Sequence, residues 1–115
     1  MKLLRVLVVD DDPLIRLDIE DALLRLRCQV ATAADLATAM KIAEAERIDL
    51  ALLDFDLGEG VDSVPLAETL AQRKVPVVFV SGADAKAIRE VFPKARIIGK
   101  PISEGELRAI VQRLR

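Results

Sequence analysis

No histidine occurs anywhere in the chain, and that single absence removes several chemistries. Ser-His-Asp and Cys-His nucleophile systems cannot be built, and neither can zinc sites that use imidazole. Cysteine is almost as scarce. Cys28 is alone, so an intrachain disulfide is excluded. With no imidazole to activate it, Cys28 reads as a small apolar filler in a strand rather than a catalytic thiol. Tryptophan and tyrosine are missing and only three phenylalanines are present, so the core must be aliphatic. No apolar run approaches the roughly 18 residues of a membrane span, and the N-terminus turns acidic too soon for a signal peptide. A basic excess is also lacking. Lysine and arginine total 17 against 19 acidic residues, which argues against a nucleic-acid-binding module. These absences lead us to expect a soluble cytoplasmic protein. Whatever chemistry it performs must run on carboxylates, hydroxyls and lysines, and any metal site must be a hard-oxygen one suited to magnesium or manganese.

Hydrophobic residues make up 52% of the 115 positions, enough for a core and for one domain of ordinary size, spanning 1–115. Short apolar runs alternate with amphipathic stretches. Runs at 3–9, 28–32, 50–53, 77–80 and 96–98 read as strands, the first and fourth so apolar that both faces should be covered. Between them lie helical spacings. Ile15, Ile19, Ala22, Leu23 and Leu26 form one stripe, and Leu107, Ile110, Val111 and Leu114 another. Asp12 before Pro13 reads as a helix cap, Asp35 and Ser63 as caps for the second and third helices, and Ser103 with Glu106 as a capping box for the last. The fourth helix is short, its best window being 85–91, and Pro93 stops it. A β-α unit repeated five times implies an α/β fold: a parallel sheet with right-handed crossovers and helices on both faces.

In such sheets ligands bind beyond the carboxyl ends of the strands. Those ends read Asp10-Asp11-Asp12, Asp54-Phe55-Asp56, Ser81-Gly82 and Lys100-Pro101, four of the five strands. Carboxylates gathered at one rim repel one another and call for a cation. Magnesium fits, because it takes oxygen ligands and usually retains waters and a phosphate. A carboxylate nucleophile, a metal, a lysine and a hydroxyl together suit phosphoryl transfer through an aspartyl phosphate. Asp12 belongs to the cap rather than to this set, and Asp56 need offer no more than its carbonyl.

The blocks VLVVDDDPLIR, IDLALLDFDL, VPVVFVSGAD and IIGKP resemble, in order, the four signature blocks of response regulator receiver domains, and they span nearly the whole chain. The resemblance implies a three-layer, doubly wound, flavodoxin-like (βα)5 fold with strand order 2-1-3-4-5. It implies Asp54 as phosphoacceptor, Ser81 and Lys100 as phosphate contacts, and magnesium (or manganese) held by Asp11, Asp54 and the carbonyl of Asp56, with Asp10 acting partly through water. It also implies a cis Lys100-Pro101 bond and a sensor histidine kinase or phosphotransfer protein as donor. The remaining expectations are an unidentified downstream protein, no direct contact with nucleic acid or membrane, and a monomer or weak dimer. The domain is not expected to be an enzyme beyond self-phosphorylation and slow dephosphorylation.

Three features depart from the common pattern. Ile97 stands where many receivers carry a switch aromatic, the segment after Asp54 reads DLGEGVDSVPLAETL, and the fourth helix is abbreviated. Pro76 to Gly82 is similar to a stand-alone subset whose fourth strand reads near Pro-Phe-x-Phe-Ala-Thr-Gly. The expected switch is then Ser81 and Gly82 with the segment 83–94. Two rival readings remain. Asp54-Phe55-Asp56 also spells the nucleophile motif of haloacid-dehalogenase-type phosphatases, although here an acid pair precedes it and no cap is present. A degenerate receiver serving only as a binding module is the other, and a longer regulator could continue past Arg115.

Overall fold

A computed structural model describes residues 2–115. The elements alternate without exception: β1 (Arg5–Val9), α1 (Pro13–Arg25), β2 (Gln29–Ala33), α2 (Leu36–Ala45), β3 (Leu50–Leu53), α3 (Val64–Gln72), β4 (Val77–Ser81), α4 (Ala85–Val91), β5 (Arg96–Gly99) and α5 (Glu104–Leu114). All strand pairs are parallel, and the sheet runs β2-β1-β3-β4-β5. This is the doubly wound, flavodoxin-like order that the resemblance implies.

Strand side chains alternate between two faces, so the sheet has two separate cores. Val6, Val8, Leu50, Leu52, Val78 and Val80 pack under α1 and α5 through Ile19, Leu23, Leu107, Ile110 and Val111. Leu7, Val9, Ala51, Leu53 and Phe79 face α2, α3 and α4 through Ala39, Ala43, Leu66, Leu70 and Ile88. The central strands β1 and β3 are buried along almost their whole length, which explains their near-continuous apolar sequence. The helix stripes read from the sequence are the faces that pack: Ile19, Ala22 and Leu23 are buried in α1, with Ile15 and Leu26 half-covered beside them.

The helix ends mostly follow their cap residues. The Asp12 carboxylate accepts from the amides of Leu14 and Ile15, Asp35 accepts from Thr38, and Ser103 and Glu106 form both bonds of a capping box. Ser63 is a correction. It occupies the cap position of α3, but its side chain makes no cap bond and its buried hydroxyl has no partner. The neighbouring Asp62 accepts from the amide of Val64 instead, at 2.9 Å. Cys28 is buried just ahead of β2 rather than within it. The first strand likewise begins at Arg5 rather than at residue 3.

Lys2 and Arg115 meet below the sheet. Arg115 Nε donates to the carbonyl of Lys2 at 3.1 Å, and its Nη2 donates to the carbonyl of Arg27 at 3.1 Å.

Candidate functional site

The sheet itself sets the site. Val9 of β1 stands beside Leu53 of β3, and the ladder continues one step further, with the Asp54 amide donating to the Val9 carbonyl at 2.8 Å. The Asp10 amide bonds the Ala33 carbonyl on the other side. Asp10 and Asp54 therefore leave adjacent strands at the same level. On the far side Ser81 stands beside Gly99, and the Lys100 amide donates to the Ser81 carbonyl at 3.0 Å. Pairing between neighbouring strands thus brings acids from β1 and β3 and a lysine from the end of β5 to one rim, although these residues lie far apart in sequence. The Lys100–Pro101 bond is cis.

Carboxylate oxygens of Asp10, Asp11 and Asp54 all lie within 4.8 Å of one another. Lys100 Nζ sits 3.1 Å from Asp10 Oδ2 and 3.2 Å from Asp54 Oδ2. Asp10 is 2% exposed and Asp54 6%, whereas Asp11 reaches solvent. The Asp10 carboxylate is fixed by the Asp12 amide at 2.9 Å, and its backbone carbonyl accepts from the Arg16 guanidinium at 2.8 Å. Gly58 closes the group from the β3–α3 loop. Its φ of +88° suits glycine, and a Cβ there would stand 3.3 Å from Asp11 Oδ2.

One lysine does not balance three acids. Burial pushes the Asp54 carboxyl up to about 6, the Asp10 charge adds to the effect, and Lys100 opposes it. Burial works against the Lys100 ammonium too. Its bonds and charge attraction to Asp10, with those to Asp54, outweigh that and hold it above the usual lysine value. The cluster therefore carries surplus negative charge in a half-dry setting. Oxygen-only donors of this kind suit a hard divalent cation such as magnesium, so the residues fit the metal expected from the sequence.

Above the cluster lies a cleft of about 300 Å³ lined by Asp11, Asp54, Asp56, Gly58, Gly82, Ala83, Asp84 and Lys100. Asp56 borders this cleft but lies outside the tight carboxylate group. Its side chain is exposed and accepts from the Gly58 amide at 2.9 Å. Ser81 is buried at the end of β4, and its hydroxyl is already engaged. It accepts from the Asp84 amide at 3.1 Å and donates to Asp84 Oδ2 at 3.4 Å. A larger hollow of about 400 Å³ opens at the opposite end of the sheet. Among the described residues its charged groups form no convergent reactive set: Glu46 pairs with Arg5, Arg47 pairs with Asp49, and the Arg73 guanidinium donates to the Ala43 carbonyl.

The structure therefore brings Asp10, Asp11, Asp54 and Lys100 into direct proximity, with Asp56 on the rim and Ser81 behind it. Sequence reading missed Gly58 and Asp84. Asp84 had a signal, since Ser81-Gly82-Ala83-Asp84 spells the S-x-x-D pattern of a cap pair. Gly58 had only its place in a Gly-Glu-Gly turn.

Comparison with known proteins agrees with this architecture. The family model described as "Response regulator receiver domain" matches residues 6–112. The phyllosphere-induced regulator PhyR of Methylorubrum extorquens is 30% identical over 110 residues, covering 92% of this chain and 41% of PhyR. The transcriptional activator protein PfeR of Pseudomonas aeruginosa is 33% identical over 109 residues, covering 91% of this chain and 35% of PfeR. The chain thus spans less than half the length of these curated relatives. Among solved structures, SdrG from Sphingomonas melonis is 34% identical with a TM-score of 0.84, covering 99% of this chain and 98% of SdrG. The receiver domain of Erythrobacter litoralis PhyR is 28% identical with a TM-score of 0.86, covering 99% of this chain and 91% of that one.

Proposed function

Since the chain belongs to the response regulator receiver family and is a receiver domain of two-component signalling, we propose that Asp54 is its phosphoacceptor, with Ser81 and Lys100 gripping the phosphoryl group. The observation that carries this reading is the burial of Asp54 between Asp10 and Lys100 at the end of a central strand, with its outer side facing a cleft. The donor is a phosphohistidine on a sensor histidine kinase or a phosphotransfer protein. An Asp54 oxygen attacks phosphorus and forms the new P–O bond. The P–N bond breaks, and its electron pair returns to the imidazole ring of the donor.

Each residue has a defined task in that transfer. Asp54 must be ionised to attack; burial raises its carboxyl to about 6 in the metal-free protein, so it is ionised at neutral pH. Lys100 already touches Asp54 and shifts its bond to the incoming phosphoryl oxygens. Ser81 supplies a neutral donor to the same oxygens. Asp10, Asp11, Asp54 and the Asp56 carbonyl would hold a magnesium ion (or manganese), which when bound offsets the negative charge of the acids and of the phosphoryl group. Output then follows from a shifted conformational balance that alters protein–protein contacts in the cytoplasm rather than from turnover of a substrate. The moving part is Ser81 and Gly82 with the segment 83–94, because Ile97 offers no aromatic ring to flip and is packed half-buried against the core that holds Phe79 and Phe92.

The test is intact-mass analysis after acetyl phosphate treatment, with and without magnesium, on the wild type and Asp54→Ala. A magnesium-dependent gain of one phosphoryl unit, absent in Asp54→Ala, supports the reading. No gain under any condition overturns it and favours a degenerate receiver. Amide hydrogen exchange over residues 82–95 with and without beryllofluoride tests the switch, and equal protection in both states removes it. The haloacid-dehalogenase alternative is set aside by the family match across residues 6–112.

A further inference from the structure

The Ser81 hydroxyl has a single proton to give, and Asp84 already takes it. Asp84 Oδ2 accepts from Ser81 Oγ at 3.4 Å, while the Asp84 amide donates back to the same oxygen at 3.1 Å. Ser81 is 3% exposed, so water has little access to replace either bond. Asp84 also stands on the wall of the cleft that holds Asp11, Asp54 and Asp56, and Lys100 is the one positive side chain among the residues lining it. A phosphoryl group on Asp54 would thus enter a space with a fourth carboxylate facing it and would need the hydroxyl that this carboxylate holds.

We propose that Asp84 is a built-in competitor for the Ser81 hydroxyl, so that phosphoryl binding at Asp54 requires Asp84 to let go and thereby releases the start of α4. The inference rests on the receiver reading given above and adds a residue that acts on the phosphoryl group through Ser81. Asp84 is a positioning residue and not a catalytic one. The contact is built to break: 3.4 Å is well beyond the usual O–H···O separation of about 2.7–2.8 Å, so the bond is weak. A phosphoryl group with nearly two negative charges outcompetes one carboxylate for the donor and repels it as well.

The consequence reaches α4 through the backbone. The Asp84 carbonyl accepts from the Ile88 amide at 2.9 Å and begins the first turn of the helix. That helix has seven residues and buries only Ile88. An element with so little buried surface moves at low cost. When the Ser81 hydroxyl turns to the phosphoryl group, the Asp84 amide loses its acceptor as well, which frees the backbone at the start of α4 and not only one side chain.

Beryllofluoride with magnesium, a non-transferable stand-in for the phosphoryl group, gives the test. Its affinity is measured calorimetrically for wild type, Asp84→Ala and Asp84→Asn, with amide exchange over 85–91 in the free and bound states. Removing both the competing acceptor and the like charge should tighten binding in Asp84→Ala severalfold, less than the roughly tenfold that a charged hydrogen bond of normal length would give. Asp84→Asn keeps an acceptor without the charge and should fall between. In Asp84→Ala the free-state exchange of α4 should already approach that of the bound wild type. Mere damage to the loop would weaken beryllofluoride binding, so the sign separates the two accounts. Wild-type binding with unchanged or weaker binding in both variants overturns the competition and leaves the receiver reading intact. Absence of binding in all three overturns both.

Discussion

The Lys100 ammonium stands 3.2 Å from the Asp54 carboxylate although the two residues leave non-adjacent strands, β5 and β3, with β4 between them. The lysine spans the rim of β4 and compensates charge on both Asp10 and Asp54. Removing it therefore leaves two buried acids without their cation. Lys100→Met is expected to lower stability at pH 7.5 by about 2 kcal/mol, since breaking a buried pair strands a charge. The loss should shrink at pH 5, where Asp54 takes up a proton. Urea denaturation at the two pH values measures the difference.

Asp54 itself is a stability cost in the metal-free protein. Its carboxyl is raised to about 6 in the fold from an ordinary value near 3.8, so the folded state binds the proton more tightly than the unfolded chain. Stability is then fully present below the unfolded value and falls as pH rises from about 4 through 6. Asp54→Asn removes that dependence. It should stabilise the metal-free protein at pH 7.5 by about 2–3 kcal/mol and have little effect at pH 4. Thermal unfolding as a function of pH in the presence of a chelator reads this out.

A cation that binds the three acids should reverse that cost. Magnesium is expected to raise the unfolding temperature at pH 7.5, by roughly 2.7 kcal/mol in stability at a hundredfold excess over its Kd. The gain should fade as pH drops through about 6, because Asp54 must lose its proton to bind metal. Asp11→Asn removes an exposed ligand from the cluster and should abolish most of the shift while leaving the metal-free protein near wild type. Differential scanning fluorimetry across magnesium concentrations would show either result.

Gly58→Ala is expected to be harmful in two separable ways. The φ of +88° strains any residue with a Cβ, costing about 1–2 kcal/mol. The added methyl also meets Asp11 Oδ2 at 3.3 Å, so that ligand oxygen must shift by a few tenths of an ångström. Gly60→Ala is the control, since it has a comparable positive φ of +75° but nothing within 4 Å. Both should lose stability, while only Gly58→Ala should lose magnesium affinity.

How far the sequence reveals this depends on range. The strands are legible because β1 and β4, read as covered on both faces, and β3 between them are near-continuous apolar runs buried along most of their length, and the polar residues at their ends stand out against that background. The pattern alone yields a parallel sheet with helices on both faces. The order β2-β1-β3-β4-β5 comes from the family resemblance, because nothing in the periodicity says which strands are neighbours. Local signals carry the caps of α1, α2 and α5, yet the choice between Asp62 and Ser63 at α3 turns on a one-residue difference in where the helix starts. Gly58 is invisible as a site residue, since its contact with Asp11 joins loops far apart in sequence. Asp84 escapes a sequence reading because an S-x-x-D pair reads as helix punctuation, whereas in the structure its oxygen holds the Ser81 hydroxyl.

The clasp between Arg115 and Lys2 has a practical corollary for anyone attaching something to this domain. Lys2 and Arg115 lie together at one corner, ahead of β1, whereas the acids sit past the opposite end of the same strand. A tag or neighbouring module fused at either end is carried on the floor of the molecule and does not crowd the cleft. The same geometry allows the old ends to be joined by a short linker and the chain reopened at an exposed loop, giving a permuted domain with its pocket untouched.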